Sequence, residues 1–338
     1  MPGPPTSPTE GAEPAWLREY RGKTVVVTGA NGFLGGRLVA RLTGTACTIV
    51  RVTRTRPVEV PAAVAVVADE CGDVRERAIW DRVVTAADVI VHLAAQTSAA
   101  AANDDPESDL AANAQPLHHL VEACRQQGRR PVILFAGTVT QAGVPSRLPV
   151  DEDAPDYPVT VYDRHKLMAE RELKDAVSRG WARGATLRLA NVYGPGSPGT
   201  SHDRDVLNRM IRAAVNGDTL TVFGAGRWQR DYLFVDDAVD AFLMAGVHAD
   251  RTSGRHYVVG SGVGISIRQA FELVAARVEA ATGRPVRVVT DDTVRPLAPI
   301  EQRHFVADSS RLATDAGWRP RWTLSDGIDR TIEAYQCA

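Results

Sequence analysis

The chain has no apolar run approaching the roughly 18 residues that a membrane-spanning helix needs, and its start shows no basic region followed by an apolar one. That excludes a helical membrane anchor and an export signal at the sequence level, so a cytoplasmic protein is expected. Cysteine is scarce. Cys47, Cys71, Cys124 and Cys337 lie too far apart for a zinc site and are too few for a disulfide scaffold, which predicts reduced thiols and no metal centre. Neither sign of charge dominates: 39 Lys and Arg stand against 41 Asp and Glu, a net charge of −2. No global field then favours nucleic acid or an anionic membrane as partner, and an anionic ligand has to be held by local groups. Internal repeats of roughly 20 to 50 residues are absent as well, which excludes solenoids and propellers.

What the chain does have is length and pattern. Its 338 residues, 44% hydrophobic, suffice for one large α/β domain and a smaller lobe. The first 14 residues carry five prolines and no apolar periodicity, so a disordered leader is expected, ending by residue 21. Lys23 to Thr28 is a β-branched run that stops at glycine, and Leu34 to Leu42 has helical spacing. Further strands are expected over 48–53, 63–68, 88–93, 131–135 and 185–190, with helices over 75–84, 108–127 and 160–178. Apolar strands alternating with helices predict a Rossmann-type, doubly wound parallel α/β sheet over 22–190. After Asn191 the alternation gives way to loops rich in glycine and proline. Residues 191–338 therefore read mainly as a smaller C-terminal α/β lobe for substrate, with segments near 233–255 and 305–316 returning to the first domain.

Gly29, Gly32 and Gly35, with Asn31, Phe33 and Leu34 between them, occupy the turn from the first strand into the first helix. Glycines there let the backbone approach a dinucleotide pyrophosphate, and the helix N-terminus supplies N–H groups and a favourable dipole. An NAD site usually places a carboxylate at the end of the second strand, to hold the ribose 2′-hydroxyl. This chain reads Val50-Arg51-Val52-Thr53-Arg54-Thr55-Arg56 instead. Thr53 and Arg54, with Arg56 as a second cation, suit a 2′-phosphate, so NADP(H) is expected over NAD; a solvated basic loop is the alternative. Asp73 and Val74, after the third strand, are placed to reach the adenine, although a helix-capping carboxylate would look the same.

Tyr162 and Lys166 are four residues apart, so on a helix they share a face. A nearby ammonium favours the phenolate, and the pair is expected to move a proton with a lowered tyrosine pKa. Thr138, at the end of the strand around 131–135, offers a hydroxyl to polarise a bound carbonyl.

These motifs, together with His92-Leu93-Ala94-Ala95, Asn113, the segment from Arg188 to Pro195, Gly226 to Asp231 and Gly317 to Pro320, resemble the extended short-chain dehydrogenase/reductase family over roughly residues 22 to 335. That group includes nucleotide-sugar epimerases, dehydratases and ketoreductases. The resemblance implies that Tyr162 is the general acid/base, that Lys166 holds the nicotinamide ribose and tunes Tyr162, and that Thr138 orients the substrate oxygen. It places Leu93, Ala94 and Ala95 along the cofactor and Thr140 against substrate. Asn191 and Arg230 would contact the diphosphate of a nucleotide-activated sugar, which suits a guanidinium, unless Arg230 pairs with Asp231; Arg303 would reach the nucleotide end. It also implies a homodimer formed through helices 108–127 and 160–178.

The 4,6-dehydratases carry Thr-Asp-Glu where this chain has Thr138-Val139-Thr140, so dehydration is not expected. The stretches 135–141 and 158–170 look most similar to dTDP-4-keto-6-deoxyhexose 4-ketoreductases of deoxysugar pathways for glycosylated natural products. The first expectation is therefore NADPH-dependent reduction of the C4 keto group of a dTDP-linked 4-keto-6-deoxysugar. The alternative is a nucleotide-sugar 4-epimerase with tightly held NAD. A non-catalytic dinucleotide sensor would have no use for the set of Thr138, Tyr162 and Lys166.

Overall fold

A computed structural model describes residues 14–55, 63–196, 206–292 and 299–337. Arg56, the leader up to residue 13 and residues 197–205 lie outside the described residues. The strands are β1 (Thr24–Thr28), β2 (Thr48–Thr53), β3 (Val66–Cys71), β4 (Val89–His92), β5 (Val132–Thr138), β6 (Arg183–Leu189), β7 (Asn191–Tyr193), β8 (Leu220–Phe223), β9 (Gln229–Phe234), β10 (His256–Val259), β11 (Gly264–Ser266) and β12 (Val288–Asp291). Seven of them form one parallel sheet in the order β10-β6-β5-β4-β1-β2-β3. The direction of winding reverses between β1 and β4, and the crevice at the carboxyl ends of those two strands is where a doubly wound sheet binds its ligand.

Alternation along β1 shows why both faces are covered. Val25 and Val27 belong to one buried cluster and Val26 to another. The helices are α1 (Phe33–Leu42), α2 (Arg77–Val83), α3 (Ala99–Asp104), α4 (Pro106–Asn113), α5 (Gln115–Gln127), α6 (Val161–Ser178), α7 (Val206–Asn216), α8 (Val235–Val247), α9 (Ala249–Thr252), α10 (Ile267–Thr282), α11 (Ser310–Ala316) and α12 (Leu324–Gln336). Residues of α1 and α8 fill the first cluster, and those of α2, α5 and α6 the second. The lobe beyond β6 holds a three-stranded sheet β11-β9-β7 and a two-stranded sheet β12-β8, packed with α7, α10 and α12 around a third cluster.

Three expectations need correction. The leader expected through residue 21 ends earlier: Ala15–Tyr20 form a 3-10 turn, because Leu17 and Tyr20 are buried against α8 and the Tyr20 hydroxyl donates to the Leu243 carbonyl at 2.7 Å. The third strand lies at 66–71 rather than 63–68. It is an edge strand with one neighbour, so its apolar residues stay largely on the surface, with Val64 and Val66 about two-thirds exposed. The helix expected over 108–127 is two helices meeting at Ala114. A short helix, α3, precedes them, capped by Ser98, which accepts from Ala101 N. No helix among the described residues is long and apolar enough to cross a membrane.

Helix α8 follows the lobe strand β9 directly yet packs on α1, with Arg37 on Asp236 and Arg41 on Asp240 (2.9 Å) joining the two helices. Asp237, beside them, is buried; its Oδ2 accepts the N–H groups of Arg321 and Trp322 (both 3.0 Å), and its Oδ1 lies 4.0 Å from Arg321 Nε with no hydrogen bond among the described residues. Burial raises its pKa to about 7, the two N–H groups and Arg321 opposing. A carboxyl raised in the folded state stabilises fully below its unfolded pKa near 4, and this contribution is lost as the pH rises through 7. Asp237→Asn keeps the acceptor and removes the charge. We expect its Tm, relative to the parent protein, to gain steadily from pH 4 to pH 8, by the equivalent of about 1–3 kcal/mol; a difference that does not change with pH would contradict this.

Candidate active site

The glycine turn is built by close contacts. Gly29 has φ +66°, and a Cβ there would lie 2.9 Å from Ala94 N; a Cβ on Gly35 would run into the Gly29 carbonyl. Gly32 N bonds Gly29 O at 2.7 Å, and the first bond within α1 runs from Gly36 N to Gly32 O. The helix thus opens at Gly32–Gly35 with neither a side-chain cap nor an acidic residue in its first turn, which fits the pyrophosphate of a dinucleotide. The side chains of Phe33 and Leu34 pack on the lobe cluster, so these two residues also join the lobes.

β1 and β4 are tied at the same end. Thr28 Oγ1 accepts from Leu93 N and Ala94 N, both at 3.1 Å, so its own proton goes to His92 Nδ1 at 2.8 Å. His92 is therefore neutral, in keeping with a pKa that burial, and then the charge of Lys166, holds down to about 3. Its ring stacks on Phe135, and the Lys166 ammonium sits 4.4 Å above that same ring. Gly29, Ala94, His92, Phe135 and Lys166 consequently form one continuous wall across the crevice.

At the ribose end, Asn31 donates to Thr55 Oγ1 at 3.4 Å, the buried Thr53 hydroxyl donates to the Thr55 carbonyl at 2.7 Å, and Arg54 is exposed. Asp69, across from Arg51, is held by that guanidinium at 2.7 and 3.0 Å, so no unpaired carboxylate is found there among the described residues. Asp73 does not wait for a ligand in this structure: Arg75 grips it at 2.9 and 2.6 Å and holds its carboxyl below the usual range. Val74 gives its carbonyl to Trp80 at 2.8 Å.

Tyr162 and Lys166 share a face of α6, which Thr160 caps by accepting from Asp163 N. Burial pushes the Tyr162 phenol well above its ordinary value, and the charges of Asp163 and Asp109 push it the same way. This corrects the expectation of a lowered tyrosine pKa: burial disfavours the phenolate first, the two carboxylates add to it, and the ammonium on the same helix face is itself held down to about 7 by burial, Asp109 opposing. Asp109 is buried between α4 and α6, where it accepts from Gln96 (2.9 Å), Asn113 (2.8 Å) and His165 Nδ1 (2.7 Å).

Thr138 ends β5 and caps the 3-10 turn that follows. Its N–H donates to Gln141 Oε1 at 3.0 Å, and the amide of Gln141 donates to Glu170 at 2.9 Å. Thr140 was expected to meet substrate; its hydroxyl instead bonds Thr138 Oγ1 at 2.8 Å and Asp163. Arg230 was expected either on a diphosphate or on Asp231, and the structure shows a third arrangement. Its guanidinium donates to the carbonyls of Gln229, Glu301 (2.6 Å) and Arg303 (2.5 Å). Asp231 faces the other way and accepts from Ser261, Gly262 and Ala307. Arg303 is buried, bonded to Ile300 O at 2.7 Å, and its Nε has no hydrogen-bond partner among the described residues; burial, then Arg230, lowers its pKa to about 10, and the charge of Asp163 opposes them. Asn191 is half-buried at the start of β7. A cleft of about 600 Å3 lies alongside, between Val144–Leu148 and Trp228, Gln302 and His304.

Residues 25–260 match the model of the NAD dependent epimerase/dehydratase family. The chain belongs to that family. Among its relatives, a UDP-glucose 4-epimerase of Mycolicibacterium smegmatis is 31% identical over 92% of this chain and 98% of its own. A dTDP-6-deoxy-L-talose 4-dehydrogenase (NAD(P)(+)) of Kitasatospora kifunensis is 30% identical over 93% and 96%. The crystal structure of UDP-glucose 4-epimerase from Brucella ovis in complex with NAD superposes with a TM-score of 0.80, at 26% identity, covering 93% of this chain and 98% of that one.

Asp109, Gln141, Asp163 and Glu170 were missed by the sequence reading. A signal for two of them was present: 163, 166 and 170 recur at helical spacing, so two buried carboxylates flank Lys166 on one face of α6. Asp109 and Gln141 lie on other elements, and only the packing brings them in.

Proposed function

We propose that the protein is a nucleotide-sugar 4-epimerase acting with a retained nicotinamide dinucleotide. The observation that carries this is the continuous wall from the Gly29–Gly35 turn to Lys166, set in a family whose 4-epimerase members align over nearly their whole length. It reverses the order of preference that the sequence alone suggested.

A bound nicotinamide dinucleotide supplies the hydride acceptor and donor at the sugar C4 and a positive ring charge that favours the Tyr162 phenolate. The residues do the rest. Gly29, Gly32 and Gly35 receive the pyrophosphate, Leu93 and Ala94 border the nicotinamide end, and Lys166 holds the ribose. Tyr162 takes the proton of the 4-hydroxyl and returns it after the sugar has turned over, while Thr138 holds that oxygen. Asn191 and Arg303 border the diphosphate, Arg303 with an Nε that has no hydrogen-bond partner among the described residues. The walls of the 144–148 cleft are where sugars with different substituents are told apart.

The absence of a carboxylate at the end of β2, and the kinship with the Kitasatospora dehydrogenase, favour a second reading: reduction of a dTDP-4-keto-6-deoxysugar by NADPH. Identification of the nucleotide released from freshly purified, denatured protein separates the two. Stoichiometric NAD is the expected result. Protein that emerges without nucleotide and binds NADPH far better than NADH would sink the epimerase.

A further inference from the structure

Asp163 follows Tyr162 directly and is 1% exposed. Buried carboxylates are kept where their acceptors or their charge are used, and helix capping occupies only part of this one. Its Oδ2 accepts from Thr160 N at 3.1 Å, while its Oδ1 takes the hydroxyl of Thr140. Thr140 has a single hydroxyl proton and a carboxylate can only accept. The 2.8 Å contact between Thr140 and Thr138 is therefore donated by Thr138. The hydroxyls form a directed relay, Thr138 to Thr140 to Asp163. Thr140 N also approaches Thr138 Oγ1, at 3.3 Å. What Thr138 then offers a ligand is a lone pair, suited to a sugar hydroxyl rather than a keto oxygen.

We propose that Asp163 is a positioning residue which, through Thr140, fixes the Thr138 hydroxyl as an acceptor in the resting enzyme and so selects a sugar alcohol as the form first bound. This deepens the epimerase reading and rests on Tyr162 and Thr138 acting there. When the oxygen at C4 becomes a carbonyl, Thr138 has to turn its proton from Thr140 to the substrate, and Thr140 stays bonded to Asp163. The charged groups acting on the phenol are Asp163 on its own helix and Asp109 from α4; Lys166 shares its helix face, and Arg303 faces Asp163 from the segment after the 3-10 turn Pro299–Gln302. Removing the charge of Asp163 should let Tyr162 ionise at lower pH.

Two variants divide the charge from the relay. Asp163→Asn should lower the pH at which Tyr162 ionises by about one unit, read by ultraviolet difference titration with Tyr162→Phe as the blank. That readout needs no substrate, so it stands even if the epimerase reading fails. Thr140→Val, which keeps the charge, should leave that titration in place and raise KM for UDP-galactose about ten-fold with a smaller change in kcat, and Thr140→Ser should restore it. An unmoved titration in Asp163→Asn overturns the proposal, as does parental KM in Thr140→Val. Absence of any turnover of UDP-galactose by the parent protein would count against the epimerase reading, and the titration would then decide the role of Asp163.

Discussion

Tyr162→Phe is expected to retain its dinucleotide and lose turnover by about 100- to 10,000-fold, the contribution of a positioned general acid/base. The phenol is half-buried and makes no hydrogen bond to another described residue, so loss of the oxygen leaves packing intact and takes away only the proton carrier. Lys166 still lies over Phe135, and the glycine turn is untouched. Epimerisation rates and the nucleotide released on denaturation, measured on the same preparation, check both halves. Turnover at the parental rate would remove Tyr162 from its role, and loss of nucleotide would make its contribution one of binding.

The second large effect is expected at Glu170→Gln, in the network beneath Thr138. Arg188 grips Glu170 at 2.9 and 2.7 Å and also bonds Asp156 at 2.7 Å, Lys174 approaches at 2.6 Å, and Gln141 donates at 2.9 Å. Burial alone would raise the Glu170 pKa; the Arg188 bonds and charge, with His256 and Lys174, hold it down to about 2. Lys174 can only donate, so His256 Nδ1, 2.6 Å away, accepts, and the ring is neutral. Its pKa is held down to about 4, by burial and then by Arg188.

A depressed folded-state pKa means stability that is present above the unfolded value and lost as the pH falls. The contribution of His256 is lost between about 6.5 and 4, and that of Glu170 between about 4.5 and 2. Glu170→Gln leaves Arg188 buried with one carboxylate fewer and should cost about 3 kcal/mol, a drop in Tm of several degrees at pH 7 that shrinks toward pH 3. Because Gln141 loses its anchor, kcat should fall as well. A Tm within one degree of the parent would show that Asp156 alone suffices for Arg188.

The sheet was legible because buried parallel strands are written as continuous β-branched runs, and β1, β2 and β5 were found within a few residues of their positions. β3 was displaced because an edge strand need not bury its apolar residues, and the sequence has no mark for an edge. The pairing of Tyr162 with Lys166 was legible because i, i+4 spacing puts them on one helix face. The direction of the tyrosine shift was not, since it depends first on burial of the phenol in the folded chain and then on Asp163 and on Asp109, which approaches from another helix. Arg230 shows a similar limit: its charge suggested a diphosphate, whereas three carbonyls 1, 71 and 73 positions away in the chain occupy it. Thr140 looked like a substrate contact until α6 brought Asp163 against it.

The central claim is tested most directly by incubating the protein with UDP-galactose and no added nucleotide. The account predicts UDP-glucose at equilibrium with UDP-galactose, without net formation of NADH. No conversion of UDP-galactose, together with stoichiometric oxidation of NADPH when a dTDP-4-keto-6-deoxysugar is supplied, would contradict it and establish the reductase.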